Sequence, residues 1–227
     1  MLTYLFNAIL RLHYWPHSHK VAEIILILKP GKDPKDVTSY RPISLLPTPA
    51  KLLEKLILRR TDPDHTAKDW IPHHQFGFRR AHSTSRQCHR ITHTILTALH
   101  NSEYCTAAFL DVSQAFDKVW HPGLLYKIQQ HLPTFFPILK SYLSDRQSRT
   151  RVKDKVSALF PIKSGVPQES VLGPLLYILF TADLPQVPNV TVGTFADDTA
   201  ILTSHTSLLH PARVPPYPQQ MATKVEN

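Results

Sequence analysis

The sequence predicts an α+β protein, in which helices and short strands follow one another along the chain. Two patterns indicate this class. Some segments place apolar residues three and four positions apart, which is the spacing of one helix face, and others are apolar or alternating runs of strand length. Hydrophobic residues make up 42% of the 227 residues and charged residues 19%, so the chain has enough apolar side chains for a core.

The first half of the chain combines helices with two strands. Apolar residues at helical spacing predict helices over 2–14, 50–60 and 83–100. The run 21–28 is almost entirely apolar and has the length of a strand. The run 40–46 is predicted to be a second strand because Pro42 does not fit a helix interior. The polar segment 61–72 is predicted to be a loop.

The second half contains the remaining elements. Helical patterns predict helices over 112–120, 124–132, 135–143 and 171–180. Strand patterns cover 104–110, a strand pair within 147–160, and a hairpin over 190–203 that turns at Asp197 and Asp198. The last 17 residues are rich in proline and poor in apolar pattern, so we expect a disordered tail there.

Charge and cysteine content restrict the class of function. Lys and Arg number 26 and Asp and Glu 17, so the net charge is 26 − 17 = +9, which favours polyanionic partners such as nucleic acid. Two cysteines exclude a disulfide framework, and the 14 histidines lack zinc spacing. No apolar run reaches the roughly 20 residues of a membrane span. The N-terminal segment has the pattern of a helix and is not interpreted as a signal peptide. We therefore expect an intracellular protein, in the nucleus or the cytoplasm, without membrane contact.

Carboxylates stand at the ends of two apolar strands. Asp111 follows the run 107–110, and Asp197 and Asp198 lie at the centre of the predicted hairpin. An ionised carboxylate at the end of a buried strand is costly without a compensating cation, and a divalent metal is the usual compensation for several of them. Taken alone, each has a simpler interpretation, because Asp is common in hairpin turns and at helix N-caps.

Several motifs accompany these carboxylates in a fixed order. They are KPGK (29–32), SYRPISLL (39–46), HQFGFR (74–79), FLDVSQAFDKVW (109–120), SGVPQ (164–168) with VLGPL (171–175), and FADD (195–198). Together they resemble the fingers and catalytic motifs of reverse transcriptases. The sequences DKVWH (117–121) and TADLP (181–185) are similar to those of the jockey group of non-LTR, LINE-type retrotransposons.

The resemblance implies a role for particular residues. It makes Asp111, Asp197 and Asp198 the catalytic metal carboxylates, with the backbone carbonyl of Val112 as a further metal ligand. The implied substrate-binding residues are Lys29, Arg41, Phe116 and Gln168. Lys29 and Arg41 would meet the triphosphate, with solvated surface cations as the alternative, and Gln168 would contact nucleotide and template.

Two other positions of the motifs carry alternatives. Phe116 is the implied steric gate against a 2′-hydroxyl, and the alternative is a core phenylalanine on a helix face. Asp117 is interpreted as an outward helix residue or a salt-bridge partner, not as a metal ligand.

The resemblance also implies a fold, domain limits, an activity and its partners. The fold would be the fingers and palm of a right-hand polymerase, with a small antiparallel palm sheet backed by helices. Residues 1–204 would form the reverse transcriptase domain, with fingers about 1–103 and palm about 104–204, and 205–227 a divergent Pro-rich tail. The expected activity is RNA-directed DNA synthesis by two-metal nucleotidyl transfer with two Mg²⁺ ions, Mn²⁺ being a possible substitute. The expected partners are an RNA template with a DNA primer and deoxynucleoside triphosphates.

The sequence departs from the family pattern in three respects, one of which is that the polar segment 61–72 is short for the family. Glu169 stands where the family has glycine after Gln168, and we expect a buried or half-buried anion there that opposes phosphate approach. The resemblance ends soon after Thr203, so the thumb is expected to be missing. These departures keep a second hypothesis open, a catalytically dead remnant or a co-opted protein that binds RNA or DNA.

Overall fold

The chain folds into helices and two β-sheets, and the computed structural model describes residues 2–61 and 70–206. The α-helices are Leu2–Leu12 (α1), Thr48–Thr61 (α2), Thr84–His100 (α3), His121–His131 (α4), Phe136–Leu143 (α5) and Gly173–Thr181 (α6). Short 3₁₀ turns cover His17–His19, Val37–Ser39 and Pro133–Phe135. The strands are Val21–Leu28 (β1), Tyr40–Leu45 (β2), Tyr104–Leu110 (β3), Gln147–Val152 (β4), Lys155–Val156 (β5), Phe160–Pro161 (β6), Val190–Phe195 (β7) and Asp198–His205 (β8).

The first compact unit consists of the described residues of Met1–Trp70 and Gln114–Phe180. Its sheet has the strand order β2-β1-β4-β5, and β6 also pairs with β4. β1 runs antiparallel to β2 and parallel to β4, so the chain must travel from Val21 to Gln147 before these two strands meet. Helix α6 is buried over most of its length, which its nearly unbroken apolar sequence requires.

The second compact unit consists of the described residues of Ile71–Ser113 and 181–206. Its sheet is antiparallel, with the strand order β3-β8-β7. Ile201 lies in its core, and four partly buried apolar residues pack against it: Leu110, Leu184, Val187 and Val190. Helix α3 begins at the N-cap Ser83, whose side chain accepts a hydrogen bond from the backbone N–H of Arg86.

Most predicted elements are confirmed, and one is wrong. The strands predicted at 21–28 and 104–110 have the same limits in the structure, and the hairpin turns at Ala196 and Asp197. The helix predicted over 112–120 is a series of turns, because Gln114 adopts a left-handed φ of 57° and its carbonyl closes a turn with the N–H of Asp117 at 2.9 Å. Most of the predicted loop at 61–72 and nearly all of the predicted tail lie outside the described residues.

No helix among residues 2–61 and 70–206 has both the length and the apolar character that crossing a membrane requires.

Candidate active site at the end of the second sheet

The register of the second sheet brings the three predicted carboxylates to one end of it. The β3–β8 pairing ends with Leu110 opposite Thr199, so Asp111 directly follows the last pair on β3 and Asp198 directly precedes it on β8. Phe195 pairs with Asp198, which leaves Ala196 and Asp197 as the turn between β7 and β8. Asp111 and Asp197 thus belong to the same end of the sheet although 197 − 111 = 86 positions separate them in the sequence.

The donor atoms at this sheet end suit a hard divalent cation. Asp111 and Asp198 are exposed and Asp197 is half-buried, and the carbonyl of Val112 follows Asp111 directly. Carboxylate and carbonyl oxygens are the ligands that Mg²⁺ prefers. Within the described part of the chain, no three or more His, Cys, Asp or Glu side chains converge into a ready metal cluster. A bound ion would therefore have to draw these three carboxylates together.

A buried polar network lies beside β7. Gln87 of α3 donates to the carbonyls of His74 and Thr194 at 3.1 and 3.2 Å. Arg90 of the same helix donates to the carbonyl of Val192 at 2.9 Å. The His74 ring hydrogen-bonds Gln186 at 2.8 Å, and burial, with help from the nearby His73 and Arg90, lowers the pKa of His74 to about 4. A neutral imidazole therefore occupies this position at physiological pH.

Phe116 and Gln168 lie in the first unit, in two segments that are hydrogen-bonded to each other. The backbone N–H of Val166 donates to the carbonyl of Phe116 at 2.8 Å, and Gln168 Nε2 donates to Asp117 Oδ2 at 2.9 Å. The ring of Phe116 stacks on that of Tyr177, with centroids 4.5 Å apart. Phe116 is thus packed, but on a turn and not on a helix face. Asp117 is likewise not on a helix, and Gln168 is its partner here.

Glycine at 165 is required by this close packing. A Cβ at Gly165 would lie 2.7 Å from the carbonyl oxygen of Asp117, and the φ of Gly165 is +89°. Four residues later the backbone is again left-handed, with φ 65° at Glu169. The side chain of Glu169 is exposed, so the expectation of a buried or half-buried anion is wrong. The sequence carries a glutamate at a backbone position that suits glycine.

Lys29 and Arg41 lie at one end of the β1–β2 pair, in the first unit. Arg41 pairs with Ile27, and the pairing continues as the Lys29 N–H donates to the Ser39 carbonyl at 2.8 Å. Because alternate residues of a strand point to the same face, Lys29 and Arg41 belong to one face of this hairpin. Both are exposed, and Lys29 Nζ donates to the Thr38 carbonyl at 3.1 Å.

The sequence interpretation missed Glu54, which holds the segment before α6. Glu54 is fully buried, and its carboxylate accepts hydrogen bonds from the N–H of Val171 at 2.6 Å and from Tyr142 Oη at 3.1 Å. Burial raises the pKa of Glu54, and these hydrogen bonds together with the charge of Arg146 act in the opposite direction. A signal was present, since Glu54 falls within the apolar stripe of α2 beside Leu53 and Ile57.

Comparison with protein families gives one match that covers most of the chain. The family model described as reverse transcriptase (RNA-dependent DNA polymerase) matches residues 27–214. That range contains the predicted site residues from Lys29 to Asp198.

Curated relatives come from insect mobile elements. The chain is 47% identical over 213 residues to a probable RNA-directed DNA polymerase from transposon BS of Drosophila melanogaster, a match that covers 89% of this chain and 23% of the relative. It is 47% identical over 217 residues to the RNA-directed DNA polymerase from mobile element jockey of Drosophila funebris, covering 92% and 24%. The chain therefore spans about a quarter of the length of the curated relatives it matches.

Solved telomerase structures share the fold. An apo telomerase from Candida tropicalis, truncated from its C-terminal domain, has a TM-score of 0.59 at 13% identity, over 98% of this chain and 50% of that one. Telomerase from the same organism in complex with a TWJ fragment of telomeric RNA has a TM-score of 0.61 at 12% identity, over 99% and 41%. Similarity at this identity establishes the fold alone, and it confirms the predicted α+β polymerase fold.

Proposed function

Because the chain belongs to the reverse transcriptase (RNA-dependent DNA polymerase) family, we propose that it carries the nucleotidyl-transfer centre of a non-LTR retrotransposon polymerase. The observation that supports this most directly is the end of the β3–β8 register: Asp111 directly follows Leu110, Asp198 directly precedes its partner Thr199, and Asp197 belongs to the adjoining turn. Three carboxylates at one sheet end suit a reaction that moves a phosphoryl group, because such chemistry requires charge compensation at the attacking and leaving oxygens.

The carboxylates would hold two divalent ions, Mg²⁺ by preference and Mn²⁺ as a substitute. Asp111 and Asp198 would contribute from opposing strands and Asp197 from the turn, with the carbonyl of Val112 as an additional ligand. When bound, the ions supply electrostatic stabilisation to the primer 3′-oxygen and to the departing pyrophosphate. The protein's own contribution is to present these oxygens on a short, hydrogen-bonded hairpin, which limits the motion of Asp198.

Four residues would contact the nucleotide: Lys29, Arg41, Gln168 and Phe116. Lys29 and Arg41 share one face of the β1–β2 hairpin, and two exposed cations there suit an incoming triphosphate. Gln168 would meet nucleotide and template, while Phe116 would lie against the sugar. The stacking of Phe116 on Tyr177 limits the ring's freedom to move aside from a 2′-hydroxyl.

The macromolecular partners would be an RNA template and a DNA primer. The net charge of +9 favours a polyanion, and the family supplies the expectation that the template is RNA. Deoxynucleoside triphosphates would be the second substrate.

Primer extension tests the proposed activity. We would measure it on the 227-residue chain and on a chimera that continues this chain with the region following the matched segment in the transposon BS relative. Asp198→Asn is the matched control, since it keeps the side-chain shape and removes the charge. Mg²⁺-dependent extension by the chimera and its loss in Asp198→Asn are expected. A folded, RNA-binding chimera that never extends a primer would contradict the proposal.

A second candidate function, a remnant that binds nucleic acid without catalysis, is favoured by one observation. Glu169 occupies a left-handed backbone position in the loop that follows Gln168, where the family pattern has glycine. An exposed carboxylate there repels phosphate. Extension by the chimera only after Glu169→Gly would favour this second candidate.

Sugar selectivity tests the proposed role of Phe116. Replacing Phe116 by alanine opens space beside the sugar, so we expect ribonucleotide incorporation to rise relative to deoxyribonucleotide incorporation, with discrimination falling by about 10- to 200-fold. Competition assays with paired nucleotides on the active chimera measure this ratio. The control is Phe135→Ala, a half-buried phenylalanine outside the motif. Unchanged selectivity in Phe116→Ala would assign the ring to packing alone.

A further inference from the structure

The segment 74–77 lies along β7, in the same unit as the carboxylates. The N–H of Phe76 donates to the carbonyl of Thr194 at 2.9 Å, and the N–H of Thr194 donates to the carbonyl of His74 at 2.9 Å. A parallel β-bridge accordingly joins Gln75 to Thr194. The HQFGFR segment therefore extends the sheet whose β7–β8 turn is formed by Ala196 and Asp197.

The Gln75 side chain holds both peptide groups of the first turn residue. Its Oε1 accepts from the N–H of Ala196 at 3.0 Å and from the N–H of Gly77 at 2.7 Å, while its Nε2 donates to the carbonyl of Ala196 at 3.2 Å. The N–H and the C=O of Ala196 belong to the two peptide planes that precede Asp197. Since Gln75 is only 3% exposed, these hydrogen bonds form in an environment where water does not compete freely.

Gly77 permits this contact by its lack of a side chain. A Cβ at Gly77 would lie 2.1 Å from the backbone nitrogen of Ala196, well inside any allowed separation. Ala196 itself has a left-handed φ of 58°, which an alanine adopts only when its surroundings enforce it. The packing of Gly77 and the hydrogen bonds of Gln75 provide such surroundings.

We propose that Gln75 is a positioning residue that fixes the turn carrying Asp197 and Asp198 in the conformation that binds the divalent ion, with Gly77 as the residue that allows its approach. This inference rests on the proposed function, since it assigns those aspartates to metal binding. Gln75 acts through its hydrogen bonds to Ala196. Replacing a residue that orients metal ligands without binding the metal typically weakens metal affinity by about 10- to 100-fold.

The test uses the full chain and Mn²⁺ as the probe. We would measure Mn²⁺ affinity by water-proton relaxation and amide hydrogen exchange at Ala196, Asp197 and Asp198 by NMR. Gln75→Met keeps the length of the side chain and removes its hydrogen bonds. Gln129→Met, an exposed glutamine of α4, is the matched control, and Asp198→Asn identifies binding at the turn. Exchange at Ala200, in the middle of β8, reports whether the sheet stays folded.

Supporting results would be a Mn²⁺ affinity about 10-fold or more weaker in Gln75→Met, faster exchange at Ala196, protected Ala200, and a wild-type affinity in Gln129→Met. Wild-type Mn²⁺ affinity in folded Gln75→Met would overturn the inference. If Gln75→Met does not fold, Gln75→Asn decides in the same way, since its amide is one methylene too short to reach both groups of Ala196.

The two proposals fail differently. The metal site of the proposed function is contradicted if the wild-type chain binds no Mn²⁺, or if Asp198→Asn binds Mn²⁺ as tightly as the wild-type chain does. Amide hydrogen exchange alone then decides the Gln75 inference. Faster exchange of the Ala196 to Asp198 amides in Gln75→Met supports the proposal that Gln75 fixes the turn. Unchanged exchange overturns it.

Discussion

Glu169 occupies a backbone conformation that an L-residue adopts at a cost. Its φ of 65° is left-handed and its side chain is exposed, so no burial offsets that cost. The left-handed region costs a non-glycine residue about 1–2 kcal/mol, and the extra freedom of glycine in the unfolded chain offsets part of any gain from replacing it. We expect Glu169→Gly to raise the free energy of unfolding by about 0.5–1 kcal/mol, measured by urea denaturation.

Glu169→Ala separates backbone strain from charge. It removes the carboxylate and retains the left-handed penalty, so its stability should stay near that of the natural chain. Equal stabilisation by alanine and glycine would show that charge repulsion, and not backbone strain, is the relevant term at this position.

His74 makes stability depend on pH in the acid range. Its pKa is about 4 in the folded chain, chiefly because of burial, against an ordinary value of 6.5. Between these values the unfolded chain binds more protons, so the contribution of His74 is fully present above pH 6.5 and is lost as the pH falls towards 4, at up to about 1.4 kcal/mol per pH unit.

Replacing His74 by glutamine removes this titration. We expect the loss of unfolding free energy between pH 7 and pH 4.5 to be smaller in His74→Gln than in the natural chain, when both are followed by urea denaturation. An identical pH dependence in the two proteins would mean that other groups account for the acid instability.

Among the elements, the connection from α2 to α6 depends on one buried carboxylate. Glu54 accepts from the N–H groups of Val171 and Leu172 and from Tyr142 Oη. Glu54→Leu leaves these donors without their acceptor and the buried Arg146 without the nearby negative charge, and such a loss costs about 3–5 kcal/mol. Glu54→Gln keeps one acceptor oxygen, so we expect a smaller loss of about 1–3 kcal/mol. Denaturant unfolding of the two variants gives the ranking, and a leucine variant as stable as the glutamine variant would contradict it.

Element positions were predictable because strands and helices differ in the length and spacing of their apolar residues. The apolar run of β1 and the alternation around Asp197 predicted strands, and the structure confirms the strands although Leu26–Leu28 are exposed. The turns at 112–120 were not predictable, since their apolar spacing suits a helix and only the left-handed φ of Gln114 breaks it. The roles of Gln75 and Glu54 were not predicted for a different reason. A polar residue in a sequence is usually assigned to the surface, and the groups that hydrogen-bond these two side chains are distant in sequence.

The candidate site was predictable in part. The identity of Asp111 and Asp198 as its residues came from the family resemblance, and the β3–β8 register shows that both stand directly beside the last paired residues at one end of the sheet. The division into fingers about 1–103 and palm about 104–204 stays a prediction. In the structure, Ile71–Ser113 clusters with the strands that carry the aspartates.

For the whole molecule, nucleic-acid binding should depend steeply on salt. The net charge of +9 predicts sequence-independent binding. The logarithm of the binding constant should fall linearly with the logarithm of the salt concentration. We expect Arg41→Gln to reduce the slope by about 0.7 for single-stranded RNA, the contribution of one phosphate contact. Filter binding or fluorescence anisotropy across a salt series measures the slope.

Arg59→Gln is the control for net charge, because it also lowers the charge by one and alters an exposed arginine of α2. A reduction confined to Arg41→Gln assigns a phosphate contact to the β1–β2 hairpin. Equal reductions in both variants would show that the chain attracts nucleic acid only through its overall charge.

The parallel pairing of β1 with β4 has a consequence for synthesis on the ribosome. Val21 pairs with Gln147, so 147 − 21 = 126 further residues must be made before the first sheet can close. At roughly 5–20 residues per second this takes roughly 6–25 s. During that interval β1 can pair only with β2, and one edge of its apolar run VAEIILIL stays open to other nascent chains. Each newly made copy therefore passes through a period in which chaperones compete with aggregation for a strand whose partner is not yet translated.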